Sequence, residues 1–249
     1  ARCEGVPGVS FVPLHENHGY AKGHNLALSW LSENHPMVRF AVISNNDIEP
    51  GCDFNRFVHA GGAHLNERAT CVAVGPRVVS PRGVLQSPKF VYGSARNFFA
   101  ALFYPVSYIV EKVWLNTRYR RTRRDWVSVF SLNGSFWMFD IKRFASIGGF
   151  DERTFLYVEE EILGERARKH GMSFSYTSRH TVVHRHGGTV RSFLSTRQYY
   201  QTLQDSQGVL LHYVGRGAFA SLLGRLFQYR NRVASSVKQI TGALLSGFR

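Results

Sequence analysis

Four short stretches carry residue types and spacings able to do chemistry. In FAVISNNDIEP (residues 40–50), an apolar run without polar alternation ends in Asn45, Asn46 and Asp47. A carboxylate at the end of a buried strand can hold a hard divalent cation. Such a cation can bridge the two phosphates of a nucleotide diphosphate. The spacing Asn45-x-Asp47 sets both side chains on one side of an extended segment. An Asx turn closing the strand accounts for the same residues equally well.

FDERTFLYVEEEILGERARKHG (residues 150–171) places acids before and within the first turn of a helix. On the 3.6-residue period, Glu159 aligns with Ile162, Leu163 and Arg166, and Glu160 with Leu163 and Ala167. Glu161 aligns with Gly164, Glu165 and Arg168 on the polar face. Glu159 and Glu160 therefore lean inward. A carboxylate at the edge of an apolar pocket is more basic than usual and can act as a general base. Favouring the helix dipole explains Glu161 but not an inward-leaning pair.

VVHRHGGT (182–189) puts His184 and His186 on one face of a strand, where a metal or phosphate role is possible. Ordinary core or surface histidines fit that pattern too. NHGYAKGHN (17–25) sets glycines and Lys22 where a helix begins, a place suited to phosphate contact, although a plain turn also fits. The P-loop pattern GxxxxGK[ST] is absent, and no GxGxxG follows a strand.

The elements that must position these residues follow from the hydrophobic pattern. Gly8–Leu14 reads as a short strand and Tyr20–Asn34 as a helix with Gly23, Leu26, Ala27, Trp30 and Leu31 on one stripe. Phe40–Ser44 reads as a strand buried on both faces, Phe54–Leu65 as a helix and Thr70–Val79 as a strand. This alternation predicts a mostly parallel sheet with covering helices. VSVFSLNGSFWMF (127–139) is a strand broken at Asn133-Gly134, with a short helix after it. The helix of Glu159–Glu161 and the strand from Ser173 come next, and the chain is helical and basic from Ser195.

With 31 Lys+Arg against 17 Asp+Glu, the net charge is +14, which favours polyanionic partners: nucleic acid, anionic lipid or phosphorylated small molecules. Cys3, Cys52 and Cys71 form no CxxC pair, so a reducing compartment is expected over a disulfide framework. The apolar run Phe98–Val110 is interrupted by Pro105 and falls short of the roughly 20 residues that a membrane span needs. With the arginines at 118, 120, 121, 123 and 124, the aromatic segment Phe98–Trp114 would suit the surface of an anionic membrane, and a core helix followed by a solvated basic loop fits equally well.

Taken together, NHGYAKGHNLAL, VISNNDIEP, IGGFDERTFLYVEEEILGERARKHG and VVHRHGGT resemble glycosyltransferase family two in order and spacing. The nearest pattern is that of bacterial rhamnosyltransferase-like enzymes of O-antigen and capsule assembly, and the likeness runs from about Val9 to Thr189. It implies an α/β, GT-A-like (Rossmann-like) fold in residues 1–190, lacking an N-terminal βαβ portion, with a helical basic extension over 191–249. It implies Mg2+ or Mn2+ held by Asp47, with Asn45 in the place of the first acid of a DxD-type motif, and with His184 and His186. Glu160 matches the catalytic base and Glu159 the acid beside it. Asn17, Gly19, Lys22, Gly23, Asn25, Asn45 and Asn46 fall on the donor side, and Gly134 and Trp137 on the acceptor side. Two positions depart from the family pattern: the usual Glu-Asp pair is Glu159-Glu160, and a usual Asp is Ile162.

The implied reaction is an inverting transfer from a nucleotide-diphosphate sugar to a lipid-linked or oligosaccharide acceptor, at the cytoplasmic face of a bacterial inner membrane. Two other classes compete: a non-catalytic interaction protein of the same fold, and a basic nucleic-acid-binding module. The latter leaves the inward acids and the His-x-His pair unexplained.

Overall fold

The computed structural model describes residues 7–51, 53–88, 125–185, 195–215 and 217–246. Cys3, Cys52, His186, the aromatic run Phe98–Val110 and the arginines of residues 118–124 lie outside them. In chain order the elements are α1 (Gly19–Asn34), β1 (Phe40–Ser44), β2 (Ile48–Pro50), α2 (Phe54–Glu67), β3 (Cys71–Val79) and β4 (Val127–Val129). There follow β5 (Phe136–Asp140), α3 (Ile141–Ser146), α4 (Glu159–Lys169), β6 (Ser173–His184), α5 (Thr196–Val214) and α6 (Gly217–Ser246).

One sheet runs in the order β1-β5-β3-β6-β2, with β4 also pairing β6. Only the β3–β6 ladder is parallel among the described pairs; β1–β5, β3–β5, β2–β6 and β4–β6 are antiparallel. The expected mostly parallel sheet is corrected accordingly. Strands β1, β3 and β6 do point the same way, as strand–helix alternation requires. Antiparallel β5, arriving from far along the chain, is inserted between β1 and β3.

Strand β5 is buried along its whole length and alternates across the sheet. Trp137 and Phe139 face a cluster with Phe144, Phe150, Phe174 and Tyr176. Phe136 and Met138 face the opposite cluster with Phe57, Leu65, Val74 and Val78 under α2. Full burial of each such ring or branched chain is worth about 1.5–3 kcal/mol, so β5 anchors both layers.

Three local expectations change. Gly8–Leu14 is not a strand; Phe11 is 62% exposed and its neighbours Val9 and Leu14 are exposed too. An apolar pattern makes a strand only where a neighbour supplies a ladder. Helix α1 buries Ala21 and Leu28, while Leu26 and Ala27 face outward, so its stripe is rotated from the expected one. On α4, Glu165 has no exposed surface although its position predicts solvent. Its Oε2 accepts from Arg168 at 2.8 Å, and Phe130, Leu210, Val214, Leu223 and Phe227 close over that face. The cause is tertiary: α5 and α6 pack there, forming a third apolar cluster with Val158 and Ile162. Among the described residues, no helix is long and apolar enough to cross a membrane.

Candidate functional site

The apolar run of β1 stops because the chain must turn. The Ile48 N–H donates to the carbonyl of Asn45, and Arg185 N–H to the carbonyl of Asp47, so the turn is tied to the end of β6. This places Asp47 Oδ1 3.2 Å from Nε2 of buried His184. On the other side of the ring, Nδ1 lies 2.7 Å from Gln86 Oε1. With the Gln86 amide oxygen as acceptor, Nδ1–H donates, and Nε2 faces the Asp47 carboxylate.

A protonated ring makes this contact an ion pair, and a cation could take the place of that proton. Adjacent ligands of an octahedral Mg2+ at 2.0–2.1 Å lie about 3 Å apart. The pair therefore fits two neighbouring positions of a small divalent ion, with Gln86 as the outer partner that orients the imidazole. Among the described residues no group of three or more His, Cys, Asp or Glu side chains gathers in one place. A cation here would be completed by water or by a ligand's own oxygens.

Glu160 is positioned differently. Helix α4 is reached through Tyr157 and Val158, whose φ angles are +73° and +71°. Left-handed backbone costs an L-residue about 1–2 kcal/mol, and a β-branched residue there is an outlier. The turn directs Glu159 and Glu160 into the protein, where they are 3% and 8% exposed, as their helical phase predicts. Glu160 Oε1 accepts from the Gly134 N–H at 3.1 Å, and the Ser131 hydroxyl donates to the Glu160 carbonyl at 3.0 Å. The Tyr20 hydroxyl donates to the Gly134 carbonyl at 2.6 Å and accepts from Trp137 Nε1–H at 3.2 Å. Burial, with the Glu160 and Glu159 charges, pushes the Tyr20 phenol well above its ordinary pKa, so it remains a donor.

The loop Asn133–Ser135 connects the two clusters. Asn133 Nδ2 donates to the Gln86 carbonyl at 3.2 Å, and its Oδ1 accepts from Ser135 N–H at 2.9 Å. The Ser135 carbonyl accepts from Asn45 N–H at 2.8 Å. A continuous path of direct contacts thus runs Asp47, His184, Gln86, Asn133, Gly134, Glu160.

No family model matches the chain. Similarity to solved structures covers 90% of it against 44% of GalNAc-T7, crystallised with UDP, GalNAc and Mn2+, at a TM-score of 0.51 and 9% identity. The chain has the GT-A fold. By sequence it is 28% identical over 204 residues to N-acetylglucosaminyl-diphospho-decaprenol L-rhamnosyltransferase of two Mycobacterium tuberculosis strains. That likeness covers 74% of this chain and 61% of the relative, so the chain spans less than two thirds of the relative's length. The resemblance to rhamnosyltransferase-like members of glycosyltransferase family two stands on these findings.

Within the GT-A sheet, the remaining expected residues sort by what they touch. Asn17 Oδ1 accepts from Gly19 N–H at 3.0 Å and opens α1. Gly19 has a φ of +73°, and a Cβ there would stand 2.2 Å from the Phe155 carbonyl oxygen, so only glycine fits. Lys22 is half-buried and Asn46 exposed. Asn25 is placed on the donor side by its motif but is engaged elsewhere. Its amide donates to the Phe150 carbonyl and Glu152 Oε1 at 3.0 Å and accepts from Phe150 N–H at 3.1 Å. It braces the loop before α4. Gly23 has no atom within 4 Å of an added Cβ, so packing does not demand glycine there.

Trp137 is corrected as well. It has no exposed surface, because β5 is an interior strand, and its part is to orient Tyr20. Tyr20, Gln86 and Asn133 belong to the site although no motif singles them out. The one available signal was a polar-tipped aromatic beside Gly19 at the start of an amphipathic helix.

Proposed function

We propose that this chain forms the catalytic part of an inverting glycosyltransferase, moving a sugar from a nucleotide-diphosphate sugar to a hydroxyl of a lipid-linked saccharide. The observation that carries this reading is the unbroken path from Asp47 and His184 to Glu160. A cation-holding pair and a general base share one rigid frame. The GT-A fold supports a nucleotide-sugar donor, and the name of the curated relative supports rhamnosyl transfer to a polyprenyl-diphosphate acceptor.

Asp47 and His184 would hold Mg2+ or Mn2+; the 3.2 Å spacing and the Mn2+ in the similar structure support this. When bound, the ion supplies charge neutralisation for the departing diphosphate. Asn17, Gly19 and Lys22, at the N-terminal end of α1, would meet the donor's phosphates. Glu160 takes the proton of the acceptor hydroxyl. That oxygen bonds to the anomeric carbon from the face opposite the diphosphate, and the carbon–phosphate-oxygen bond breaks with its electron pair leaving on the diphosphate. Gly134 N–H fixes one Glu160 oxygen and hence the direction of the carboxylate. The +14 charge supports a peripheral site on an anionic membrane face, and the lipid-linked acceptor in the relative's name supports a role in bacterial surface polysaccharide synthesis.

The test is to incubate the chain with dTDP-, UDP- and GDP-sugars and polyprenyl-diphosphate-linked N-acetylglucosamine, with Mn2+ or with EDTA. Product with Mn2+ alone is expected. Absence of transfer, of donor hydrolysis and of nucleotide binding with every donor would overturn the proposal.

A further inference from the structure

We propose that α5, braced by α6, is a positioning clamp that sets the Glu160 carboxylate; the inference rests on Glu160 being the base. From sequence this region carries no chemistry, yet its contacts converge on the segment that delivers Glu160. The buried Ser206 hydroxyl donates to the Leu156 carbonyl at 2.8 Å. The Tyr199 ring lies 5.0 Å from the ring of Tyr157. Val158 is buried against Leu210 of α5 and against Leu223 and Phe227 of α6.

Two further contacts flank the turn. Tyr213 donates to Asp151 Oδ2 at 2.7 Å and accepts from Arg166 Nη2 at 2.8 Å. Arg166 in turn donates to the Gly149 carbonyl at 2.7 Å. Behind α5, buried Asn231 of α6 donates to buried Gln207 at 2.9 Å, which fixes one helix on the other.

Helix α5 therefore grips the chain at 151, 156, 157, 158 and 166. These positions bracket the two consecutive left-handed residues that aim α4. Such a backbone persists only where surrounding contacts over-determine it. Apolar docking of an accessory hairpin would need only the Val158 cluster. The hydrogen bond to the Leu156 carbonyl and the Asp151–Tyr213–Arg166 bridge fix position as well. Their effect is read at the far end of Glu160, where Oε1 meets the Gly134 N–H.

The experiment uses the full chain with Ser206→Ala and Tyr213→Phe, beside Glu160→Gln. Two quantities are followed: hydrogen exchange and chemical shift of the Gly134 amide, and kcat with donor KM. Ser206→Ala and Tyr213→Phe are expected to speed Gly134 exchange at least tenfold. They should lower kcat about ten- to a hundredfold, as a small misplacement of a catalytic group does, with donor KM within twofold.

An unchanged Gly134 amide in folded Ser206→Ala and Tyr213→Phe overturns the clamp. Should Ser206→Ala not fold, Tyr213→Phe, which leaves the Leu156 bond in place, decides alone. Wild-type turnover by Glu160→Gln would overturn the base assignment instead, and the Gly134 amide would still decide the clamp.

Discussion

The N–H of Gly134 points at Oε1 of Glu160 from 3.1 Å, and a Cβ added at residue 134 would stand 3.0 Å from that same oxygen. It would also lie 3.2 Å from the Tyr20 hydroxyl. A side chain here is tight, and the ends of Glu160 and Tyr20 would have to give by a few tenths of an ångström. Gly134→Ala should push the carboxylate aside and lower kcat at least about tenfold in a transfer assay. Turnover equal to wild type would separate Glu160 placement from catalysis.

Glu160→Gln keeps the shape and removes the proton acceptor. The expected loss in kcat is about two to four decades, with nucleotide-sugar affinity by calorimetry unchanged. Loss of affinity with normal kcat would assign Glu160 to donor binding.

Gln86 orients His184 without reaching the cation position itself. Gln86→Ala should weaken Mn2+ binding about 10–100-fold, measured by titration calorimetry with a nucleoside diphosphate present. His184→Ala should weaken it at least as much. If neither variant changes Mn2+ affinity, the Asp47–His184 pair is not a cation site.

Two glycines of one motif should behave oppositely. Gly19→Ala meets the Phe155 carbonyl and a left-handed φ, and should destabilise the fold by at least about 2 kcal/mol. Gly23→Ala has open space inside α1 and should stabilise by about 0.5–1 kcal/mol, or roughly 1–4 °C in Tm for a chain of this size. Nucleotide binding by Gly23→Ala then reports directly whether the donor approaches that backbone. A fall in its Tm would show a tertiary demand on Gly23.

Burial holds the imidazoles of His24, His64 and His180 below their ordinary pKa, in each case as the largest cause. The unfolded chain, with pKa near 6.5, takes up protons that the folded chain resists. Stability from these groups is full above about pH 6.5 and is lost as pH falls through the folded values. Thermal melts from pH 7.5 to 5 should show a falling Tm, and His64→Gln should flatten the slope. A Tm that rises on acidification would contradict the burial account.

What the sequence made legible was local. The apolar run into Asn45-Asn46-Asp47 announced a strand end, and β1 stops at Ser44 before those residues turn the chain. Helical phase correctly turned Glu159 and Glu160 inward. It failed for Glu165, because the face it shares is covered by α5 and α6, and periodicity carries no information about what packs on a helix. Asn25 was read as donor-facing because its motif fits a phosphate turn; only the fold shows Phe150 beside it. The insertion of β5 between β1 and β3 depends on a pairing between residues about a hundred positions apart, which local pattern does not encode. Gln86 and Asn133 stayed hidden for the same reason, since each matters through a partner distant in the chain.

Because β1 is completed by β5 and Asp47 by His184, synthesis order matters. At roughly 5–20 residues per second, the ribosome delivers His184 about 7–30 s after Asp47. The β5 residues that pair with Phe40–Ser44 follow them by about 5–20 s, and the imidazole comes later still. A newborn chain therefore carries an apolar strand without this ladder partner until β5 is made, and the Asp47–His184 contact assembles later still.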